Sequence, residues 1–274
     1  MTPGIAAGIA APLERTAICL DYDGTIAPIV PDPEAAAPLE GMVELLGRLA
    51  GRAAVVALVS GRPAAFLAAN AKAPGLRYYG LYGLEEIRDG ELVVDPAVLE
   101  VRPAVRAALK DVEADPAVRD SGAYIEDKGN AVGIHLRRVA DPERWSDEIA
   151  ATANRIAERY GLEVQPGRLV WELRPAVRRD KGDAVRKVLA ETRPAAVLVA
   201  GDDLGDLPAF AAAESARADG VEVLRVAVRS AETPPDLLAN ADLAVDGPEG
   251  LRALLASLEG GAALPPRGSP LGEA

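Results

Sequence analysis

Residues 16–25, Thr16-Ala17-Ile18-Cys19-Leu20-Asp21-Tyr22-Asp23-Gly24-Thr25, decide the fold. The apolar run Ala17 to Leu20 ends abruptly in two carboxylates one residue apart, followed by a glycine and a threonine. Such a short, uninterrupted run reads as a strand buried on both faces of a parallel sheet. Parallel sheets present their chemistry at the carboxyl ends of their strands. Two neighbouring carboxylates there repel each other unless a cation lies between them, and the simplest occupant is Mg2+. One aspartate can then attack phosphorus while the other handles a proton. The alternative is an acidic turn that closes the strand, because Asp and Gly dominate turns for reasons unrelated to catalysis.

Outward from this stretch the pattern repeats. Met42, Leu45, Leu46 and Leu49 lie at helical spacing within an expected helix from about residue 38 to 50. Residues 53–59 form a second apolar run, which ends in Ser60-Gly61-Arg62-Pro63, with Pro63 suited to the first turn of a helix. Strand, helix, strand, helix points to a parallel sheet. Residues 77–83 read as a third strand.

The text then changes. Asp89-Gly90 between two short strand-like runs predicts a hairpin over Glu85 to Val94. A helix carries Val101, Val105, Leu109 and Val112 on one face, with Pro103 near its start or bending it. Two alternating segments, 123–128 and 131–137, suit an antiparallel sheet with one wet face. A helix over 141–160 and a hairpin turning at Pro166-Gly167 complete an α+β insert. From Asp180 the parallel style returns, with a strand at 196–200 that runs into Gly201-Asp202-Asp203-Leu204-Gly205-Asp206. The division expected is 1–83 and 177–274 for the α/β core and 84–176 for the insert. A loose arm reaches to about residue 12, and a Gly- and Pro-rich disordered tail starts at about residue 260.

The 274 residues suffice for one large domain or two smaller ones. A net charge of −12, offset by no basic run, argues against general binding to nucleic acid or anionic membranes. An anionic substrate must therefore be met by a few local cations. The single cysteine, Cys19, lies in the apolar strand, which fits an inert core thiol and a reducing cytoplasm. No stretch reaches the ~18 apolar residues of a membrane span.

Asp21/Asp23, Ser60, Lys181 and Asp202/Asp203/Asp206 all stand at strand ends or helix starts. For phosphoryl transfer, where the protein mainly positions groups and neutralises charge, these residue types form a sufficient kit. A carboxylate can become an aspartyl phosphate, while a hydroxyl and a lysine hold the equatorial oxygens.

Four short motifs in this order resemble those of the haloacid-dehalogenase-like phosphatases: Asp21-Tyr-Asp23-Gly-Thr25, Ser60, Lys181, and Gly201-Asp202-Asp203 with Asp206. Further pieces, Val-Ser-Gly-Arg-Pro, Gly-Leu-Tyr-Gly-Leu-Glu, Ile-Glu-Asp-Lys-Gly, His-Leu-Arg and Trp-Glu-Leu-Arg-Pro, are similar to the trehalose-6-phosphate phosphatase family, across residues 16 to 210. The resemblance implies a Rossmann-like core with an inserted α+β cap, and Mg2+-dependent hydrolysis of a sugar phosphate. It implies Asp21 as nucleophile and Asp23 as general acid and then base. Mg2+ would be held by the Asp21 carboxylate, the Asp23 backbone carbonyl and Asp202, supported by Asp203 and Asp206. Ser60 and Lys181 would hold the phosphoryl group, with Thr25, Gly61 and Arg62 as further substrate contacts.

If 123–128 is a strand, Glu126 and Lys128 point the same way, and Glu172 faces opposite Trp171. The resemblance implies that Glu126, Lys128 and Glu172 grip the far glucose ring; the alternative is a solvated sheet face with cross-strand ion pairs. His135 reads as structural, Arg62 and Arg174 as anion contacts or loop braces, and Tyr78, Tyr79 and Tyr82 as packing residues. The chain departs from the family pattern at Gly205, Leu207 and Tyr82, where Thr, Glu and His are usual. The expected protein is a cytoplasmic monomer acting on trehalose 6-phosphate. The alternatives are the same chemistry on another sugar phosphate or glycosyl-glycerate phosphate, or a non-catalytic binder of such a ligand.

Overall fold

The apolar run ahead of Asp21 forms β1 (Thr16–Leu20), with all five residues buried. In this computed structural model, which describes residues 10–176 and 179–260, the chain divides into two compact units. One comprises the described residues up to 93 and from 179 onward, and the other those from 94 to 176. The expected N-terminal arm and C-terminal tail fall mostly at 1–9 and 261–274, outside the described residues. Ala10 and Ala11, within the stretch expected to be loose, donate their N–H groups to Glu222 Oε2 at 2.6 and 3.0 Å.

In the first unit β1 is followed by α1 (Met42–Ala50), β2 (Val55–Val59), α2 (Ala64–Asn70), β3 (Leu76–Gly80), β4 (Glu85–Arg88) and β5 (Glu91–Val94). The second unit holds α3 (Pro96–Ala114), α4 (Pro116–Ser121), β6 (Tyr124–Asp127), β7 (Val132–His135), α5 (Pro142–Tyr160), β8 (Leu162–Gly167) and β9 (Val170–Pro175). The chain then returns to the first unit with α6 (Lys181–Thr192), β10 (Ala196–Gly201), α7 (Leu207–Ser215), β11 (Glu222–Arg229), α8 (Pro235–Asn240), β12 (Leu243–Asp246) and α9 (Gly247–Glu259).

The large sheet runs β12-β11-β10-β1-β2-β3-β4-β5. Its pairs from β12 to β3 are parallel. Strand order reverses at β1, which lies between β2 and the much later β10. Ligand crevices in open α/β sheets form at such a switch point, and here the loops after β1, β2 and β10 converge on it. One face is covered by α1 and α9 through Met42, Leu45, Leu46, Leu49, Leu251 and Leu255. The other is covered by α6 and α7 through Val185, Val188 and Phe210. Each such large side chain, fully buried, contributes about 1.5–3 kcal/mol, which is why helices of these lengths hold their places.

The hairpin at 85–94 belongs to this sheet, so the insert starts about ten residues later than the expected residue 84. The reason is local. β4 pairs antiparallel with β3, and its buried carboxylates are met within the core unit: Glu85 Oε2 accepts the Ala64 N–H at 2.9 Å, and Glu86 is held by Lys187 of α6 at 2.5 Å.

In the second unit the sheet order is β6-β7-β9-β8, with antiparallel pairing throughout. Val132, Ile134, Trp171 and Leu173 pack with residues of α3, α4 and α5, leaving Gly133, His135 and Glu172 on the opposite face. α3 runs through Pro103 rather than starting beside it. The β8–β9 hairpin turns at Arg168-Leu169, not at Pro166-Gly167. Both of those residues lie in the ladder, and Pro166 is tolerated because β8 is an edge strand. Leu169 adopts the left-handed φ of 59° that closes the turn.

Candidate active site

Asp21 follows β1 directly, and its N–H donates to the Ala200 carbonyl of β10 at 3.0 Å. This anchors the residue between two strands. Its carboxylate is buried, with Oδ1 2.7 Å from Lys181 Nζ. Lys181 opens α6, where Asp180 and Asp183 form a reciprocal capping box that fixes the first turn. The same ammonium donates to Asp206 Oδ1 at 2.7 Å. Asp206 Oδ2 in turn accepts the backbone N–H groups of Asp202 and Asp203, at 3.0 and 3.2 Å. Asp203 accepts from the Gly205 N–H at 2.8 Å and caps the short turn at 204–206. The loop after β10 is thus tied to Lys181, and through it to Asp21.

One carboxylate oxygen from each of Asp21, Asp202 and Asp206 lies within 4.8 Å of the others. Gly24 makes room for this group: its φ is +76°, and a Cβ there would stand 2.1 Å from Asp202 Oδ2. Three buried carboxylates face one buried ammonium. Burial, then Asp206 and Asp203, push Asp202 up to about 7. Burial also raises Asp21 well above the usual carboxylate range, with Asp206 and Asp202 adding to it against the opposing pull of Lys181. Burial works against the Lys181 charge, but Asp206 and Asp21 outweigh it and hold the ammonium firmly protonated.

This donor set fits a hard divalent cation. It offers carboxylate oxygens without sulfur or imidazole, it carries surplus negative charge, and a cation would restore the ionisation that burial opposes. Thr25 adds a buried hydroxyl without a hydrogen-bond partner among the described residues.

Ser60 follows β2, the other neighbour of β1. Its N–H donates to the Tyr79 carbonyl at 3.0 Å, and its Oγ accepts the Arg62 N–H at 3.2 Å. Gly61 lies under the Tyr82 ring, since a Cβ on Gly61 would be 2.8 Å from the Tyr82 hydroxyl oxygen. Arg62 forms a two-pronged pair with Asp23, Nε to Oδ2 and Nη2 to Oδ1, each at 2.8 Å. The expected anion contact therefore has its guanidinium on the second aspartate of the opening stretch.

Glu126, Lys128 and Glu172 come together in the second unit. Glu126 and Glu172 flank Gly133 in register, Lys128 is paired with Glu172, and Lys128 Nζ lies 3.9 Å from Glu126. His135, read from sequence as structural, has Nε2 2.9 Å from Glu126 Oε2. Sequence reasoning did not pair Asp206 with Lys181, although the i, i+4 spacing of Asp202 and Asp206 across a turn was a usable signal. No sequence signal announces the Arg62–Asp23 pair, because it depends on β1 and β2 being neighbours.

A family model described as trehalose-phosphatase matches residues 19–242. A trehalose-phosphate phosphatase of Mycobacterium marinum is 35% identical over 202 residues, which cover 72% of this chain and 51% of that protein. This chain thus spans about half the length of that relative. The fold is similar to a crystal structure of a trehalose-6-phosphate phosphatase related protein, with a TM-score of 0.74 and 25% identity over 89% of this chain and 96% of that one. A haloacid dehalogenase-like hydrolase from Bacteroides thetaiotaomicron shares the fold at 18% identity, with a TM-score of 0.60 over 89% of this chain and 99% of that one.

Proposed function

Because the chain belongs to the trehalose-phosphatase family, we propose that it is a Mg2+-dependent phosphatase that hydrolyses trehalose 6-phosphate to trehalose and phosphate. The observation that carries this reading is Asp21 at the switch point of the sheet, 2.7 Å from Lys181 and grouped with Asp202 and Asp206. A buried carboxylate is poised for attack only if its negative charge is kept, a balance to which Lys181 contributes and which a cation bound beside it would complete.

In the proposed reaction an Asp21 oxygen forms a bond to phosphorus as the bond from phosphorus to the sugar oxygen breaks. Asp23 gives its proton to that leaving oxygen. Asp23 then takes a proton from water, the resulting hydroxide attacks phosphorus, and the bond to Asp21 breaks to release phosphate. Lys181 and Ser60, with the Gly61 backbone, hold the phosphoryl oxygens. Asp21, Asp202 and the Asp23 carbonyl, steadied by Asp203 and Asp206, would hold Mg2+, whose charge would neutralise the phosphoryl oxygens.

Glu126 and Glu172 as acceptors and Lys128 as donor suit the hydroxyl groups of a sugar. Among the described residues no helix is long and apolar enough to cross a membrane. The proposed setting is the cytoplasm, and the proposed state a monomer. Phosphate release from a panel of sugar monophosphates with Mg2+ tests the reading. Trehalose 6-phosphate is expected to exceed glucose 6-phosphate by at least about tenfold in kcat/KM. Equal turnover across the panel rejects the sugar assignment, and undiminished activity in Asp21→Asn rejects the site.

A further inference from the structure

The geometry points to Arg62 as a positioning residue that holds the carboxylate of Asp23 in its working orientation, rather than as a contact to the substrate phosphate. This rests on the phosphatase reading above, in which Asp23 moves the proton.

Asp23 stands on a loop with a side chain 38% exposed, so packing alone does not fix its carboxylate. Arg62 does, through two parallel bonds of 2.8 Å that set both the distance and the plane of the group. The guanidinium is itself held by its surroundings. Its side chain is only 15% exposed, and it lies over the Phe66 ring at 4.6 Å. Phe66 meets Tyr22 edge to face at 5.6 Å, and the buried Tyr22 donates its hydroxyl proton to the Ala36 carbonyl at 3.0 Å. The Arg62 backbone is also tied at both ends, with its N–H on Ser60 Oγ at 3.2 Å and its carbonyl accepting from the Leu81 N–H at 2.9 Å.

The constraint therefore closes on itself. Tyr22, the residue between the two aspartates, braces Phe66, which braces Arg62, which orients Asp23. A carboxylate oxygen has two lone pairs, and the fork takes one from each oxygen. The other two remain for proton transfer, and the exposure of Asp23 leaves them reachable. The fork is also the part of Arg62 best suited to a phosphate, and Asp23 occupies it.

The test uses leaving groups that differ in their need for a proton. A sugar alkoxide must be protonated as it departs, whereas the phenolate of p-nitrophenyl phosphate need not be. Acid–base catalysis is worth about 10²–10⁴-fold, and a misplacement of 1 Å costs about 10²-fold. Arg62→Gln is therefore expected to lower kcat on trehalose 6-phosphate by about 30–100-fold, with KM moved by less than about threefold. On p-nitrophenyl phosphate the loss is expected to be at least about tenfold smaller. In an Asp23→Asn background, Arg62→Gln is expected to add less than about twofold, because a residue that acts through Asp23 has nothing left to position. Arg62→Lys, which keeps the charge without the fork, is expected to restore little.

Equal losses on both esters, a rise in KM as the main effect, or full multiplication of the two substitutions would each overturn the proposal in favour of a phosphate contact. Crystals of Arg62→Gln with orthophosphate supply a readout apart from turnover. One unchanged Asp23 orientation would overturn the proposal, and a displaced or divided one supports it. Activity that survives Asp21→Asn marks failure of the phosphatase reading itself. A preference for another sugar phosphate replaces only the substrate, and the Arg62 comparison then runs on that ester.

Discussion

Asp202 links acidity, metal and stability in one measurement. Its folded-state carboxyl is held at about 7 against an ordinary 3.8. Between those two values the folded protein binds a proton that the unfolded chain has released, so stability falls as pH rises through this window. At about 1.4 kcal/mol for each tenfold change in acidity, the ionised carboxylate costs the metal-free protein about 4 kcal/mol above pH 7. Asp202→Asn removes that charge. In EDTA at pH 7.5 the variant is expected to be more stable than the wild type by about 4 kcal/mol, with the difference vanishing towards pH 4. Mg2+ narrows the gap: at 100 times its dissociation constant it stabilises the wild type by about 2.7 kcal/mol, while the variant gains little, so the difference shrinks to about 1 kcal/mol. Urea unfolding at a series of pH values, with EDTA or with Mg2+, reads both effects. The lysine contributes no slope there, since its pKa lies well above 10.5 in the folded protein and its stabilisation is lost only as pH rises beyond that value. A wild-type-minus-variant difference that is flat with pH in EDTA refutes the reasoning, as does a Mg2+ gain that is equal in both proteins.

Asp21→Asn is expected to lower phosphate release by at least about 10³-fold, read by single-turnover kinetics, while the protein unfolds at a similar or higher urea concentration because a buried charge has gone. Gly24→Ala forces a side chain onto Asp202 at a φ of +76°; a loss of about 1–3 kcal/mol and weaker Mg2+ binding are expected by urea titration and calorimetry. Glu172→Gln is expected to cut kcat/KM for trehalose 6-phosphate by about 10–100-fold, with a distinctly smaller loss on p-nitrophenyl phosphate, which has no sugar to hold. A matched loss on both esters would move Glu172 from sugar binding to the stability of its own sheet, where Lys128 is its partner.

The large sheet was legible because strands buried on both faces, such as 17–20, 55–59 and 196–200, leave almost no polar residue in the text until they end. The polar residue that ends each run is then conspicuous, which is how Asp21, Ser60 and Asp202 could be read together. The hairpin at 85–94 was legible as a hairpin but not as part of the large sheet. Asp89-Gly90 specifies a turn, whereas membership depends on β3 offering a free edge and on Lys187 meeting Glu86. Arg62 was visible as a motif residue, an anion contact or a loop brace, but its pairing with Asp23 was not, because that partner lies 39 positions away and is brought near by strand order alone. Leu169 could not be expected at a left-handed φ, since a branched apolar side chain gives no sign of it while Pro166-Gly167 gives a strong but misleading one.

The pairing of Thr16 with Ala196 has a consequence for biosynthesis. When the stretch that carries Asp21 leaves the ribosome, the strand that accepts its backbone on one side is still unmade. At about 5–20 residues per second, the interval between completing Ser60 and completing Gly201 is roughly 10–30 s. During that time a largely apolar strand has a partner on one edge only and stands open to wrong pairing on the other. The proposed hydrolytic site is thus incomplete until β10 has been made, and truncation before residue 200 leaves Asp21 without the neighbour that anchors it.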